Sequence, residues 1–375
     1  MGDLYAYSID TMLRNQSASG AYIASPAFSQ YGYCWLRDGS FTAYAMDRAG
    51  RYDSTKAFLR WVNRTIQQHA YKVDAVLKKD LSELGENDYL HCRYTVDGAE
   101  VEELWTNFQL DGYGTWLWAV AEHTKMVGDD ALLRELLPGI ALTLRYLVHL
   151  WQRPNYDLWE EHLDKVHTST LAALYGGMRA LLDLPAPELD PFRPLMAALA
   201  REIKNFVLEN CVSDGHLVKY IGTDAVDASL VSVCTPYRLL DPSDPVMVAT
   251  IEKIERDLVH DGGTHRYMLD TYYGGGEWTL LSAWLGWYFA EVGNSERARE
   301  YLQWVARQAD EKDDLPEQAT GHLLFPERYA EWEKLWGQVA KPLVWSHAMY
   351  LLLGIVLGET GSQVETETLH DKERK

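Results

Sequence analysis

The chain has 375 residues, 47% of them hydrophobic, and a formal charge of −20 at neutral pH from 55 acidic and 35 basic side chains. That is enough apolar material for a large core, and with no cluster of lysine and arginine it argues against nucleic acid or an anionic membrane as partner, leaving a neutral or cationic small molecule as the expected ligand. Cys34, Cys92, Cys211 and Cys234 are scattered without metal-ligand spacing, and no leader pattern or apolar run of roughly 18–20 residues stands out, so the expected location is cytoplasmic with reduced thiols.

Apolar residues recur at spacings of three and four almost throughout, and period-2 stretches are nearly absent, which predicts an all-α chain. In chain order, twelve helices are expected near residues 3–15, 39–49, 52–70, 109–127, 129–151, 166–183, 190–210, 226–235, 245–258, 277–292, 295–309 and 340–358. Phe58, Val62, Thr65 and Ile66 mark the third. Leu136, Ile140, Leu144, Leu147 and Trp151 mark the fifth, with Pro138 suited to a first turn rather than a helix middle. Ser295 is the expected N-cap of the eleventh, whose buried face is Tyr301, Leu302 and Val305. Short turns at 48–51, 127–130 and 292–295 pair consecutive helices, while the connections 16–38, 71–108, 152–165, 212–225, 259–276 and 310–339 are long. Six helical hairpins with short turns on one rim and long loops on the other describe a barrel over residues 1–358, with function expected in the long loops. The polar stretch 359–375 is expected to be a disordered tail.

The residues that carry chemistry fall in those loops. Residues 31–40, YGYCWLRDGS, place Trp35, Arg37 and Asp38 together, and 103–114, ELWTNFQLDGYG, supplies Trp105 and Gln109. Residues 156–162, YDLWEEH, set Asp157, Glu160 and Glu161 beside Tyr156 and Trp159, where apolar burial and mutual repulsion can push one carboxyl up into a proton donor. Residues 266–278, RYMLDTYYGGGEW, lack the Lys-Ser/Thr of a phosphate loop and follow no strand, so the three glycines read as a sharp turn. Residues 313–321, DDLPEQATG, hold Glu317 behind Pro316. With 14 Trp and 23 Tyr in the chain, flat amphipathic rings suited to stacking on sugar faces are plentiful. Trp116, Trp118, Trp284 and Trp287 sit at helix spacing and are expected in the core, whereas Trp332 and Trp336 can either close over a cleft or pack its loop. His91, His162, His167 and His347 are isolated and expected to be structural.

Taken together and in this order, WLRDGS, WTNFQLDGYG, DLWEEH, RYMLDTYYGGGEW, LPEQ and LVWSHA resemble glycoside hydrolase family 15, the glucoamylase and glucodextranase family, over about residues 26–350. The resemblance implies an (α/α)6 barrel and an inverting exo-α-glucosidase that needs no cofactor and no metal. By motif, Glu160 resembles the general acid, Glu317 the general base and Glu161 a substrate-binding residue beyond the cleaved bond. Arg37, Asp38 and Arg266 resemble the residues that grip the terminal glucose, and Tyr31, Trp35, Trp105, Trp278 and Trp345 match aromatic pocket positions. Room for an attacking water sets the expected carboxyl separation at roughly 6.5–9.5 Å. The chain has length for neither a starch-binding module nor an amino-terminal β-sandwich, so short soluble malto- or isomalto-oligosaccharides are the expected substrates. The alternatives are trehalose or a uronide, or a catalytically silent sugar binder; the motifs leave linkage and oligomeric state open.

Overall fold

The computed structural model describes residues 3–359, so the tail expected over 359–375 lies, apart from Glu359, outside the described residues. The helices are α1 (Leu4–Arg14), α2 (Leu36–Arg48), α3 (Tyr52–Gln68), α4 (Ala70–Lys78), α5 (Asp111–Val127), α6 (Asp130–Leu150), α7 (Thr168–Leu182), α8 (Arg193–Asn210), α9 (Pro245–Leu258), α10 (Thr279–Glu291), α11 (Ser295–Ala306), α12 (Pro326–Trp336) and α13 (Val344–Leu357). Six inner elements close a ring: α2, α5, α7, a 3-10 turn at Ala228–Val233, α10 and α13, which returns to α2. Behind them stand α3, α6, α8, α9, α11 and α1, so that the sixth pair joins α13 to α1 across nearly the whole sequence. The fold is an (α/α)6 barrel.

Sequence pattern separates the two rings. Inner helices are walled by neighbours on every side, and α10 is buried at each position from Thr279 to Phe289. Outer helices bury one stripe, in α3 including Phe58, Leu59, Val62 and Ile66, each large side chain contributing about 1.5–3 kcal/mol by leaving water. Trp116, Trp118, Trp284 and Trp287 all belong to this core. The inner α5 and α7 touch backbone to backbone: a Cβ on Gly114 would stand 2.5 Å from the Ala173 carbonyl oxygen, and one on Gly177 would stand 2.4 Å from that of Gly114. Only glycine permits that approach.

Four expectations need correction. Pro138 lies inside α6, not in its first turn. Asn63 of α3 makes this possible by donating from Nδ2 to Glu135 O (3.3 Å) and accepting at Oδ1 from Gly139 N (2.9 Å), replacing the helical bond that the proline interrupts. Asn294, not Ser295, caps α11 through Arg297 N. The segment 226–235 is the short 3-10 turn, capped by Asp227. The loops 71–108 and 310–339 contain α4, which begins at residue 70, and α12. Among the described residues no helix is long and apolar enough to cross a membrane.

Candidate active site

Helices α2, α10 and α13 begin at one deep pocket of about 570 Å3, a size suited to a small ligand. All eleven residues singled out above line it: Tyr31, Trp35, Arg37, Asp38, Trp105, Glu160, Glu161, Arg266, Trp278, Glu317 and Trp345. The first turn of α2 supplies Arg37 and Asp38. Arg37 is buried, donating from Nη1 to Gln109 Oε1 and to Asp111 Oδ2, both at 3.0 Å, with Asp38 Oδ2 3.3 Å from its Nε. Burial raises Asp38 to about 6 against the opposing pull of Arg37. The pair is therefore an interior ion pair rather than a surface one.

Glu160 is set by a turn under strain. Its φ is +68°, a left-handed conformation that costs a non-glycine residue of order 1–3 kcal/mol unless its surroundings impose it. Here they do. Asp157 Oδ1 accepts from Trp159 N (3.0 Å) and Glu161 N (2.9 Å), and Glu160 N donates to Asp157 O (2.9 Å). Lys219, buried, clamps the turn from behind with Nζ 3.0 Å from Asp157 Oδ2 and 2.5 Å from Asp227 Oδ2, and Asp227 in turn accepts from Trp159 Nε1. Trp35 Nε1 donates to Glu160 Oε1 at 2.5 Å. Burial raises the Glu160 carboxyl, opposed by Arg37 and by that indole bond.

Glu317 comes from the opposite side of the fold. Leu315 N donates to His347 Nε2, Ser346 Oγ donates to Pro316 O, and Gln318–Ala319 pairs antiparallel with Glu277–Trp278, so the carboxyl is fixed from both flanks. The Tyr31 hydroxyl donates to Glu317 Oε1 (2.9 Å) and lies 3.1 Å from the Tyr272 hydroxyl. Burial pushes Glu317 up to about 8, with Tyr31 and Arg266 opposing. Arg266 is locked to Asp270 by Nε–Oδ2 (2.7 Å) and Nη2–Oδ1 (2.5 Å), reaches Glu161 Oε1 at 3.3 Å, and stands over the rings of Trp159, Trp278 and Tyr272. Tyr267 donates to Glu161 Oε2.

The two glutamates share no hydrogen bond; each is held by a different ring, Glu317 by Tyr31 and Glu160 by Trp35, and those rings are in edge contact at 5.5 Å between centres. Six buried polar atoms of pocket residues make no hydrogen bond within the protein: Arg37 Nε and Asp38 Oδ2, which meet only as an ion pair, and Trp105 Nε1, Trp278 Nε1, Trp345 Nε1 and Glu317 Oε2. Such a mixture of donors and acceptors among aromatic walls fits a ligand with many hydroxyls. Trp332 and Trp336 also line the pocket, from α12 at its rim. His347 is structural, bonded to Ser8 Oγ and Leu315 N. Sequence reasoning missed Tyr272, Lys219, Asp227 and Arg93, whose guanidinium lies 3.7 Å over the Trp105 ring. Tyr272 stands inside a quoted motif and could have been singled out; the others carry no local signal.

Residues 2–309 match the family model "Glycosyl hydrolases family 15", a match that ends before Glu317. An isomaltose glucohydrolase from Kribbella flavida is 44% identical over 95% of this chain and 93% of its own length. A glycosidase in complex with glucose superposes with a TM-score of 0.91 at 43% identity, covering 95% of this chain and 96% of that one. A bacterial glucoamylase complexed with acarbose, at 16% identity, shares the fold with a TM-score of 0.74 over 95% of this chain and 56% of its own.

Proposed function

The chain belongs to glycosyl hydrolase family 15 and is a glycoside hydrolase, and from that premise we propose that it releases β-glucose from the non-reducing end of isomaltose and similar short α-glucans, with Glu160 as general acid and Glu317 as general base. The observation that carries this reading is the placement in one pocket of two carboxyls, Glu317 buried and Glu160 partly so, unbonded to each other and held by different donors. Glu160 gives its proton to the glycosidic oxygen as the C1–O bond breaks. Glu317 takes a proton from a water that attacks C1 from the opposite face, so the configuration inverts. Arg37, Asp38 and Arg266 bind hydroxyls of the terminal glucose, Tyr31 faces the developing positive charge, and the indoles stack on sugar faces. Glu161, tied to Arg266 and Tyr267, binds the leaving sugar. The choice of isomaltose rests on the 44% identical relative, and a small soluble substrate agrees with a cytoplasmic enzyme.

Proton NMR of fresh digests of isomaltose, maltose and trehalose tests the proposal. The β-anomer of glucose is expected first, with isomaltose cleaved fastest; initial α-glucose overturns inversion, and preference for trehalose overturns the substrate. Glu160→Gln is expected to lower kcat by about 10²–10⁴-fold with an unchanged circular dichroism spectrum. Near-normal turnover would remove Glu160 from its role.

A further inference from the structure

On the far side of the ribbon that carries Trp278 and leads from Glu317, the side chains of His260, Glu277 and His322 bring one ligand atom each within 4.8 Å of one another. None of the three lines the sugar pocket. Glu277 is 5% exposed, yet its Oε1 has no hydrogen-bond partner. Beside it stands the His260 ring, with Nδ1 3.5 Å away. Gly263 leaves space for that carboxyl, since a Cβ there would stand 2.3 Å from Glu277 Oε1. A charge-capable group with an open buried oxygen, in a recess kept clear by glycine, is an unusual feature for a merely structural contact.

The neighbouring imidazoles fix which nitrogen is free. His265 Nδ1 lies 2.9 Å from Gly275 O and 3.2 Å from Gly276 O; carbonyls only accept, so this nitrogen carries the hydrogen. With its hydrogen on Nδ1, His265 turns its Nε2 to His322 Nδ1 at 2.9 Å, so the hydrogen of that bond comes from His322. With that hydrogen on Nδ1, the neutral His322 ring keeps a lone pair on Nε2. A ring held by donating its other N–H is the usual posture of a metal-ligating histidine. His260 stacks on His322 with ring centres 3.8 Å apart, and being half-exposed it is free to rotate its lone pair toward the carboxylate. Metal bonds of about 2 Å need donor atoms roughly 3–4 Å apart, a small closure from the present spacing.

We propose that His260, Glu277 and His322 form a binding site for a first-row divalent transition ion, with zinc the best match to two imidazoles and a carboxylate, and solvent completing the coordination. The site is empty. Its ligands come from the hairpin 259–264, the strand before α10 and the loop after Gln318–Ala319, three segments that flank Arg266, Trp278 and Glu317. An ion there clips those segments together behind the pocket, a structural rather than a chemical role.

Equilibrium dialysis against zinc, read by elemental analysis, tests this on the intact protein. Wild type is expected to take up one ion that His260→Ala and His322→Ala each weaken at least tenfold, and zinc should raise the thermal midpoint of wild type but of neither variant. Cobalt(II) supplies a second readout through visible bands that vanish in the same variants. Equal uptake by the variants, or no uptake by wild type up to millimolar zinc, overturns the site and leaves Glu277–His260 as a simple ion pair. Circular dichroism confirms that each variant is folded before its binding is compared.

Discussion

Glu160 and Glu317 are both held against their ordinary behaviour, one by a left-handed backbone and both by burial. For Glu317 the sign of the linkage is definite. Its folded value of about 8 lies above the 4.5 of an unperturbed glutamate, so the folded state keeps a proton that the unfolded state has released. That contribution is complete below pH 4.5 and is lost as the pH rises toward 8. Glu317→Gln is therefore expected to be inactive but more stable, by ~2–4 kcal/mol at pH 8 and by little at pH 4.5, in urea denaturation. A difference that does not grow with pH would show that the carboxyl is not desolvated as described. If Glu317 is the base as proposed, the same shift sets the activity profile: the rate should rise with pH as Glu317 becomes able to accept a proton, with an acidic limb above the usual carboxylate range. The pocket residues were legible because each stands in a run of distinctive neighbours, as Arg37 and Asp38 do in WLRDGS. Lys219 was not: nothing near it in sequence reports that it will be buried between Asp157 and Asp227, because that pairing is made by the fold.

At the scale of elements, hairpins announced themselves through apolar spacing and short turns, and α5–α6 and α10–α11 fall within a few residues of expectation. Helices α4 and α12 were hidden inside long connections, both being short, and the stripe of α12, Tyr329 and Trp332, is only partly buried. Pro138 was misjudged for a physical reason as well. Local chemistry forbids it within a helix, and only a side chain from another helix, Asn63, makes it tolerable. Asn63→Ala should leave Gly139 N and Glu135 O unsatisfied in the interior and lower stability by about 2–4 kcal/mol, measured by denaturant unfolding. Turnover at low temperature should be unchanged, because α3 and α6 stand in the outer ring away from the pocket. A loss below about 0.5 kcal/mol would mean that the helix does not rely on this replacement.

Across the whole molecule, a net charge of −20 on a single chain is a standing repulsion. Raising ionic strength from about 0.01 to 0.2 M shortens the screening distance from about 30 Å to under 10 Å, so the thermal midpoint should climb with added sodium chloride. A midpoint that is flat or falls with salt would show that exposed local ion pairs such as Arg60–Glu135 outweigh the long-range field. The ring itself has a different asymmetry. Five of its six pairs are made from neighbouring stretches of sequence, but the sixth joins α13 to α1. During synthesis the first helix must wait for the last. Until α13 has left the ribosome, the faces of α1, α2 and α10 that pack on it are bare, and the pocket lacks both Trp345 and the anchor that His347 gives the Glu317 loop. The nascent enzyme therefore passes through a sticky, inactive stage whose length is set by translation speed, and chaperone dependence should fall most heavily on that interval.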